Sequence, residues 1–208
     1  MILQLAIDRV TIEEAIDIIK ETREYVDIIE IGTSLIKDYG MDSVRKIKEN
    51  FPDIRILADI KTIDEAEYEF RAVYEAGADI ATVMGASAIS SIEICDRVAK
   101  EYKKDYMIDL LEVDDQRLSS LIKFKDAIFG VHLPADKNGI GLENLIQESI
   151  LSLKGIERIS VAGGVSVNTM PLLEKSGIEI AIVGGAITKA QDRKLAAKDF
   201  SRMKEVRK

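Results

Sequence analysis

Eight short, β-rich apolar runs, each followed by a longer amphipathic stretch, constrain the fold of this chain more than any other feature. The runs are LQLAI (3–7), VDIIEI (26–31), RILADI (55–60), DIATVM (79–84), DYMIDL (105–110), AIFGVH (127–132), RISVAG (158–163) and IAIVGG (180–185). Strands that alternate strictly with helices argue for a parallel sheet, because parallel neighbours need a long crossover rather than a tight turn. The runs are almost continuously apolar, the pattern of strands covered on both faces. Eight such units predict closure into a (β/α)8 TIM barrel, a single domain over 1–208, in preference to an open doubly wound sheet. A chain of 208 residues is long enough to bury the core this requires.

The intervening stretches carry helix grammar. In TIEEAIDIIKETREY, Ile12, Ala15, Ile16 and Ile19 recur at helical spacing behind Thr11, an N-cap whose capping box is completed by Glu14. Gly77 and Gly177 stand where left-handed residues end the third and seventh helices. Cys95, the single cysteine, falls on the apolar face shared by Ile92 and Val98 and reads as a buried core thiol. No GxGxxG follows the first strand and no GxxxxGK[ST] occurs, which removes the main sequence support for a dinucleotide or P-loop site.

The net charge of −8 disfavours a general attraction to nucleic acid or anionic membrane. No apolar run is long enough to cross a bilayer, and MILQLAIDRV lacks the features of a secretory signal, so a cytoplasmic protein with no membrane partner is expected. An anionic small substrate would need a local site built to hold it.

A barrel presents such a site at the C-terminal ends of its strands. Strand one ends at Asp8, strand two carries Glu30, strand three Asp59 and Lys61, strand five Asp109 and strand six His132. A single acid after a strand is ordinarily a helix cap; five strands delivering ionisable groups to one rim are not explained that way. Asp59 and Lys61, two apart, project from the same face if the strand runs through both. A lysine among acids stays protonated. Glu30 and Asp59 on adjacent strands offer hard oxygen ligands suited to Mg²⁺. His132, the only histidine, excludes a histidine-rich zinc site and is placed as a general base. The last two strands end in paired glycines, Gly163–Gly164 and Gly184–Gly185, whose backbone N–H groups can approach a phosphate.

These residues form a recognisable set. LQLAID, VDIIEIGT, LADIKTID, GADIATVMGA, VAGGVS and IVGGAIT resemble, in order and along nearly the whole chain, the hexulose-6-phosphate synthases and their relatives the 3-keto-L-gulonate-6-phosphate decarboxylases of the orotidine 5′-monophosphate decarboxylase superfamily. The Asp-x-Lys-x-x-Asp motif at Asp59, Lys61 and Asp64 is the most specific part of the likeness. The resemblance implies a Mg²⁺-dependent barrel acting as a homodimer. Glu30 and Asp59 match the metal-site acids, and Asp64 matches an acid supplied across the dimer interface. Asp8 matches an aspartate beside the lysine, His132 the proton-transfer histidine, and the four glycines the phosphate cradle.

The expected reaction is condensation of ribulose 5-phosphate with formaldehyde through an enediolate. Asp109, which is Asp in the synthases and Glu in the decarboxylases, favours it, as do Ala162 in VAGG and Gly185 in VGG. Decarboxylation of 3-keto-L-gulonate 6-phosphate and a non-catalytic sugar-phosphate-binding barrel are the alternatives. The chain departs from the family pattern in DEAEYEF, where Glu65 and Glu67 stand after Asp64, and in HLPADKNG (132–139), where Pro134 removes an N–H from the loop.

Overall fold

The structure is a computed structural model and describes residues 1–132, 153 and 155–205. Eight parallel strands, β1 (Ile2–Ile7), β2 (Ile28–Ile31), β3 (Arg55–Thr62), β4 (Ile80–Met84), β5 (Asp105–Asp109), β6 (Ile128–His132), β7 (Ile159–Ala162) and β8 (Ile180–Val183), form a closed barrel in sequence order. Pairing of β8 with β1, Ile180 opposite Ile2, completes it. The described residues hold nine helices: α1 (Ile12–Thr22), α2 (Thr33–Tyr39), α3 (Asp42–Asn50), α4 (Ala66–Glu75), α5 (Ile89–Tyr102), α6 (Asp115–Leu121), α7 (Met170–Lys175), α8 (Gly185–Thr188) and α9 (Arg193–Glu205). The barrel is as expected, but two crossovers are split. Gly40 at φ +59 ends α2 and starts α3 anew, and a short α8 precedes α9. The eighth run, expected through 185, stops at Val183, so Gly184 and Gly185 lie beyond the sheet.

Two apolar cores follow from the two-residue alternation of a strand. Outward residues such as Leu5, Ile29, Ile56, Ala81 and Val83 pack against the helices, with Ile19, Val44, Phe70 and Cys95 among their buried partners. Inward residues Ile28, Leu57, Ile80, Met107, Ile128, Ile180 and Ile182 fill the lumen. Burial, and then the charge of Glu69, pushes the Cys95 thiol up to about 12, which suits an inert core position.

Local grammar holds at α1, where Thr11 accepts from the Glu14 amide at 3.2 Å and its own amide donates to the Glu14 carboxylate at 2.8 Å. Gly77 and Gly177 follow their helices at φ +108 and +76. The opposite end of the barrel from the site is tied by ion pairs. Asp105 at the start of β5 accepts from Arg55 and, at 2.7 Å, from Arg158, while Asp79 binds Lys48 at 3.0 Å and also Lys104.

Among the described residues, Arg9, Lys61, Glu65, Lys103 and Glu112 are non-glycine residues with positive φ. Glu65 caps α4 at φ +43 with no side-chain cap hydrogen bond, a left-handed conformation that a non-glycine residue adopts at a cost. Glu65→Gly is expected to raise stability by about 1 kcal/mol, read as a higher urea midpoint at unchanged slope. An unchanged or lower midpoint would show that the turn is not strained.

Candidate active site

The site is the next layer of the barrel above the lumen core. Two residues beyond lumen residues Ile28, Leu57, Ile80 and Met107 come Glu30, Asp59, Thr82 and Asp109, on the same inward face by the period of the strand. On β6 the same step from Ile128 passes Gly130 and reaches His132 at the strand's end. One continuous rim therefore collects side chains that are far apart in sequence.

Lys61 is at its centre. Its Nζ donates to Asp109 Oδ2 at 2.7 Å and to Asp59 Oδ1 at 3.1 Å. Burial disfavours the ammonium, yet the charges of Asp59 and Asp109 and their hydrogen bonds outweigh it and hold the lysine above its ordinary range. Both acids are themselves fixed. Asp59 accepts from Thr33 Oγ1 at 2.6 Å and Thr82 Oγ1 at 3.0 Å, and Asp109 Oδ1 accepts from the Leu111 amide at 2.9 Å. The strand does not run regularly through Asp59 and Lys61, as the simple spacing assumed: β3 is irregular between Ala58 and Thr62, and Lys61 has φ +48. The two side chains meet nonetheless.

Glu30 is held by Gln4 Nε2 at 2.6 Å. Burial and then the negative charge of Asp59 push its carboxyl up to about 8, against the opposing effects of Gln4 and Lys61. Among the described residues Lys61 pairs with both Asp59 and Asp109, and Glu30 is in no ion pair. Gln4 Oε1 is buried and has no hydrogen-bond donor among the described residues. Among the described residues no cluster of three or more acid, histidine or cysteine side chains could hold a metal by itself. Two carboxylates with unbalanced charge fit a hard divalent cation that keeps its other positions for water and substrate, the habit of Mg²⁺.

A cavity opens from this layer, and Asp8, Glu30, Asp59, Lys61 and His132 line it together with Gly163, Gly164, Gly184 and Gly185. Asp109 lines a smaller pocket that shares Glu30, Asp59, Lys61 and His132 with this cavity. Asp8 is not paired with Lys61; it accepts from the Ser34 amide at 3.1 Å and from the Ser34 hydroxyl, because that lysine is taken by Asp59 and Asp109. Gly163 and Gly164 have φ +91 and +67. Gly184 and Gly185 have ordinary space for a Cβ, so their own packing does not demand glycine. Their bareness leaves the backbone open toward the cavity, where an anion can reach it. Asp64 is exposed and does not line the cavity of its own chain. The stretch after His132, with Pro134 and Ala135, lies outside the described residues.

Sequence reasoning missed the residues that hold the acids. Gln4 and Thr82 were visible as polar residues on otherwise apolar strands, a signal that a buried polar group has a partner to serve. Gly32 was not visible: a Cβ there would come within 2.7 Å of both Asp8 Oδ1 and the Ile7 carbonyl, so glycine is needed for Asp8 to turn back onto Ser34.

The raised Glu30 carboxyl has a measurable consequence. The folded state retains a proton that the unfolded chain releases near 4.5, so the contribution of Glu30 to stability falls as pH rises from there to about 8. In chelator-treated protein, the stability advantage of Glu30→Gln over wild type is expected to grow across that window and stay level above it. Urea midpoints measured at several pH values check this, and an advantage independent of pH would contradict the assignment.

Comparison with known proteins agrees with this arrangement. The model of the orotidine 5′-phosphate decarboxylase / HUMPS family matches residues 1–200. The chain is 37% identical to a 3-hexulose-6-phosphate synthase of Bacillus subtilis (strain 168), over 99% of this chain and 98% of that protein. It is 38% identical to one of Mycobacterium gastri, over 96% and 98%. The crystal structure of 3-hexulose-6-phosphate synthase from Salmonella typhimurium superposes with a TM-score of 0.90 at 34% identity, covering 98% of each chain. With a barrel, a Lys61-centred acid rim and a full-length family match in agreement, the chain belongs to the orotidine 5′-phosphate decarboxylase / HUMPS family.

Proposed function

We propose that this chain is a carbon–carbon lyase that condenses ribulose 5-phosphate with formaldehyde, reversibly, to give a 3-hexulose 6-phosphate. The observation that carries this reading is the Lys61 ammonium clamped between Asp59 and Asp109 in a cavity that His132 and the bare glycines also line. A fixed cation beside a basic side chain is what formation of an enediolate from a ketone requires.

In this reading the glycines of the β7 and β8 ends take the phosphate, and that remote binding energy positions C1 of the sugar. His132 accepts a proton from C1, leaving the electron pair in an enediolate whose oxygens face Lys61. Lys61 is suited to stabilising them because it remains charged in a low-dielectric site and is already oriented. Glu30 and Asp59 would hold Mg²⁺, which would supply Lewis-acid polarisation of the bound ketone. C1 then bonds to the formaldehyde carbon, and the new alkoxide takes its proton back from His132. Asp109, the residue that the resemblance associates with the synthases, supports this reaction over decarboxylation of 3-keto-L-gulonate 6-phosphate, and it holds Lys61 directly at 2.7 Å.

A second copy of the chain completes the site in this proposal. Asp64 is exposed at the β3–α4 turn beside Ile63 and Tyr68, which are 52% and 72% exposed and form an apolar surface a partner would cover.

Proton NMR of ribulose 5-phosphate in D2O with protein and Mg²⁺ tests the reaction. Loss of the C1 proton signal, followed by formaldehyde consumption, is expected; exchange without condensation would favour the decarboxylase substrate, and no exchange would overturn the reading. Lys61→Ala is expected to lower turnover roughly 10³-fold while the protein stays folded by circular dichroism. Mixing Asp64→Asn subunits with Lys61→Ala subunits is expected to restore part of the activity each lacks alone, since one mixed site then holds both groups; no recovery would argue that Asp64 serves no neighbour.

A further inference from the structure

The irregular end of β3 has a specific cause. Ala58 pairs with Ala81 and Thr62 with Val83, so three residues of β3, Asp59 to Lys61, stand against the single residue Thr82 of β4. Thr82 is buried, 2% exposed. Its hydroxyl accepts from the Lys61 backbone amide at 2.9 Å and donates to Asp59 Oδ1 at 3.0 Å, the oxygen that also receives the Lys61 ammonium. One hydroxyl therefore takes over the Lys61 amide's hydrogen bond where the backbone ladder is interrupted. It also ties that amide to the carboxylate partner of the same residue's side chain.

Lys61 sits there at φ +48, a backbone state that costs a lysine and persists only where surrounding contacts impose it. The Ser87 hydroxyl holds the next carbonyl, that of Thr62, at 3.1 Å, but it does not touch Lys61 or Asp59. Thr33 binds the other oxygen of Asp59 and leaves the Lys61 backbone alone. Thr82 is the one side chain among the described residues whose hydrogen bonds reach both the lysine backbone and the aspartate carboxylate.

We propose that Thr82 is a positioning residue: its hydroxyl fixes the left-handed turn at Lys61 and the rotamer of Asp59 together, and so sets where the ammonium stands in the cavity. This rests on the reaction proposed above for its kinetic readout, but its structural content does not. Without the hydroxyl the part-buried Lys61 amide loses its partner, Asp59 loses a donor, and the turn loses a contact that holds it.

Thr82→Val keeps the shape and removes the hydroxyl; Thr82→Ser keeps the hydroxyl and removes the methyl. In the wild-type enzyme assayed with ribulose 5-phosphate, formaldehyde and Mg²⁺, Thr82→Val is expected to lose about 10²-fold in kcat with KM for the sugar phosphate little changed. Thr82→Ser should stay within a few-fold of wild type. A folded Thr82→Val enzyme with wild-type kcat overturns the proposal, and so does an equal loss in both variants, which would assign the effect to packing of the methyl. If the wild type itself does not turn these substrates over, the functional reading fails. The positioning role is then decided by the crystal structure of Thr82→Val: a Lys61 that leaves φ near +48 and changes its carboxylate partners supports it, and an unchanged Lys61 overturns it.

Discussion

Closure of the parallel sheet is the constraint from which the other features descend. A strand alternates its side chains strictly, and a closed barrel has no edge at which a strand can slip free of its register. Once Ile28, Leu57, Ile80 and Met107 are committed to the lumen, the residues two positions further on must face the same axis one layer higher. Glu30, Asp59, Thr82 and Asp109 are gathered in this way without any contact having to be specified between distant segments. The energy that orders the site is that of the apolar layer beneath it, and the polar layer adds orientation through Gln4, Thr33 and Thr82.

The two ends of the barrel divide the charged residues by role. At the N-terminal ends of the strands, Asp79 and Asp105 each meet two cations, so neither acid is short of positive charge. At the C-terminal ends, Lys61 is the one cation among the described residues that pairs with Asp59 and Asp109, while Glu30 keeps its proton to a high pH. Fully partnered acids hold a structure together, whereas a shortage of positive charge kept in a cavity suits a site that something outside the chain completes.

Much of this was legible in the residues. The alternation of apolar runs carried the barrel, the ionisable strand ends carried the rim, and Thr11 with Glu14 carried a helix start that the structure reproduces. What escaped was of two kinds. Splits in the crossovers, such as the break at Gly40, depend on backbone torsions that a helical periodicity does not report. The pairings within the site depend on the third dimension: Asp8 and Asp109 are both acids at strand ends, and only the folded rim shows that Lys61 goes to Asp109 while Asp8 goes to Ser34. The departure in DEAEYEF was legible in the sequence; that its Glu65 adopts a left-handed conformation was not.

The three-against-one pairing of β3 with β4 also bears on which changes in chain length the fold can absorb. Because the surplus in β3 is two residues, an even number, the inward and outward faces stay in step on either side of it. Loss of a single residue between Ala58 and Thr62 would turn every later side chain of that strand to the opposite face and put a charged group into the helix-facing core. Loss of both surplus residues would instead leave an uninterrupted ladder and an intact barrel, stripped of the lysine's perch. A descendant of this chain could therefore shed its chemistry in one step of two codons' length and remain a well-folded protein.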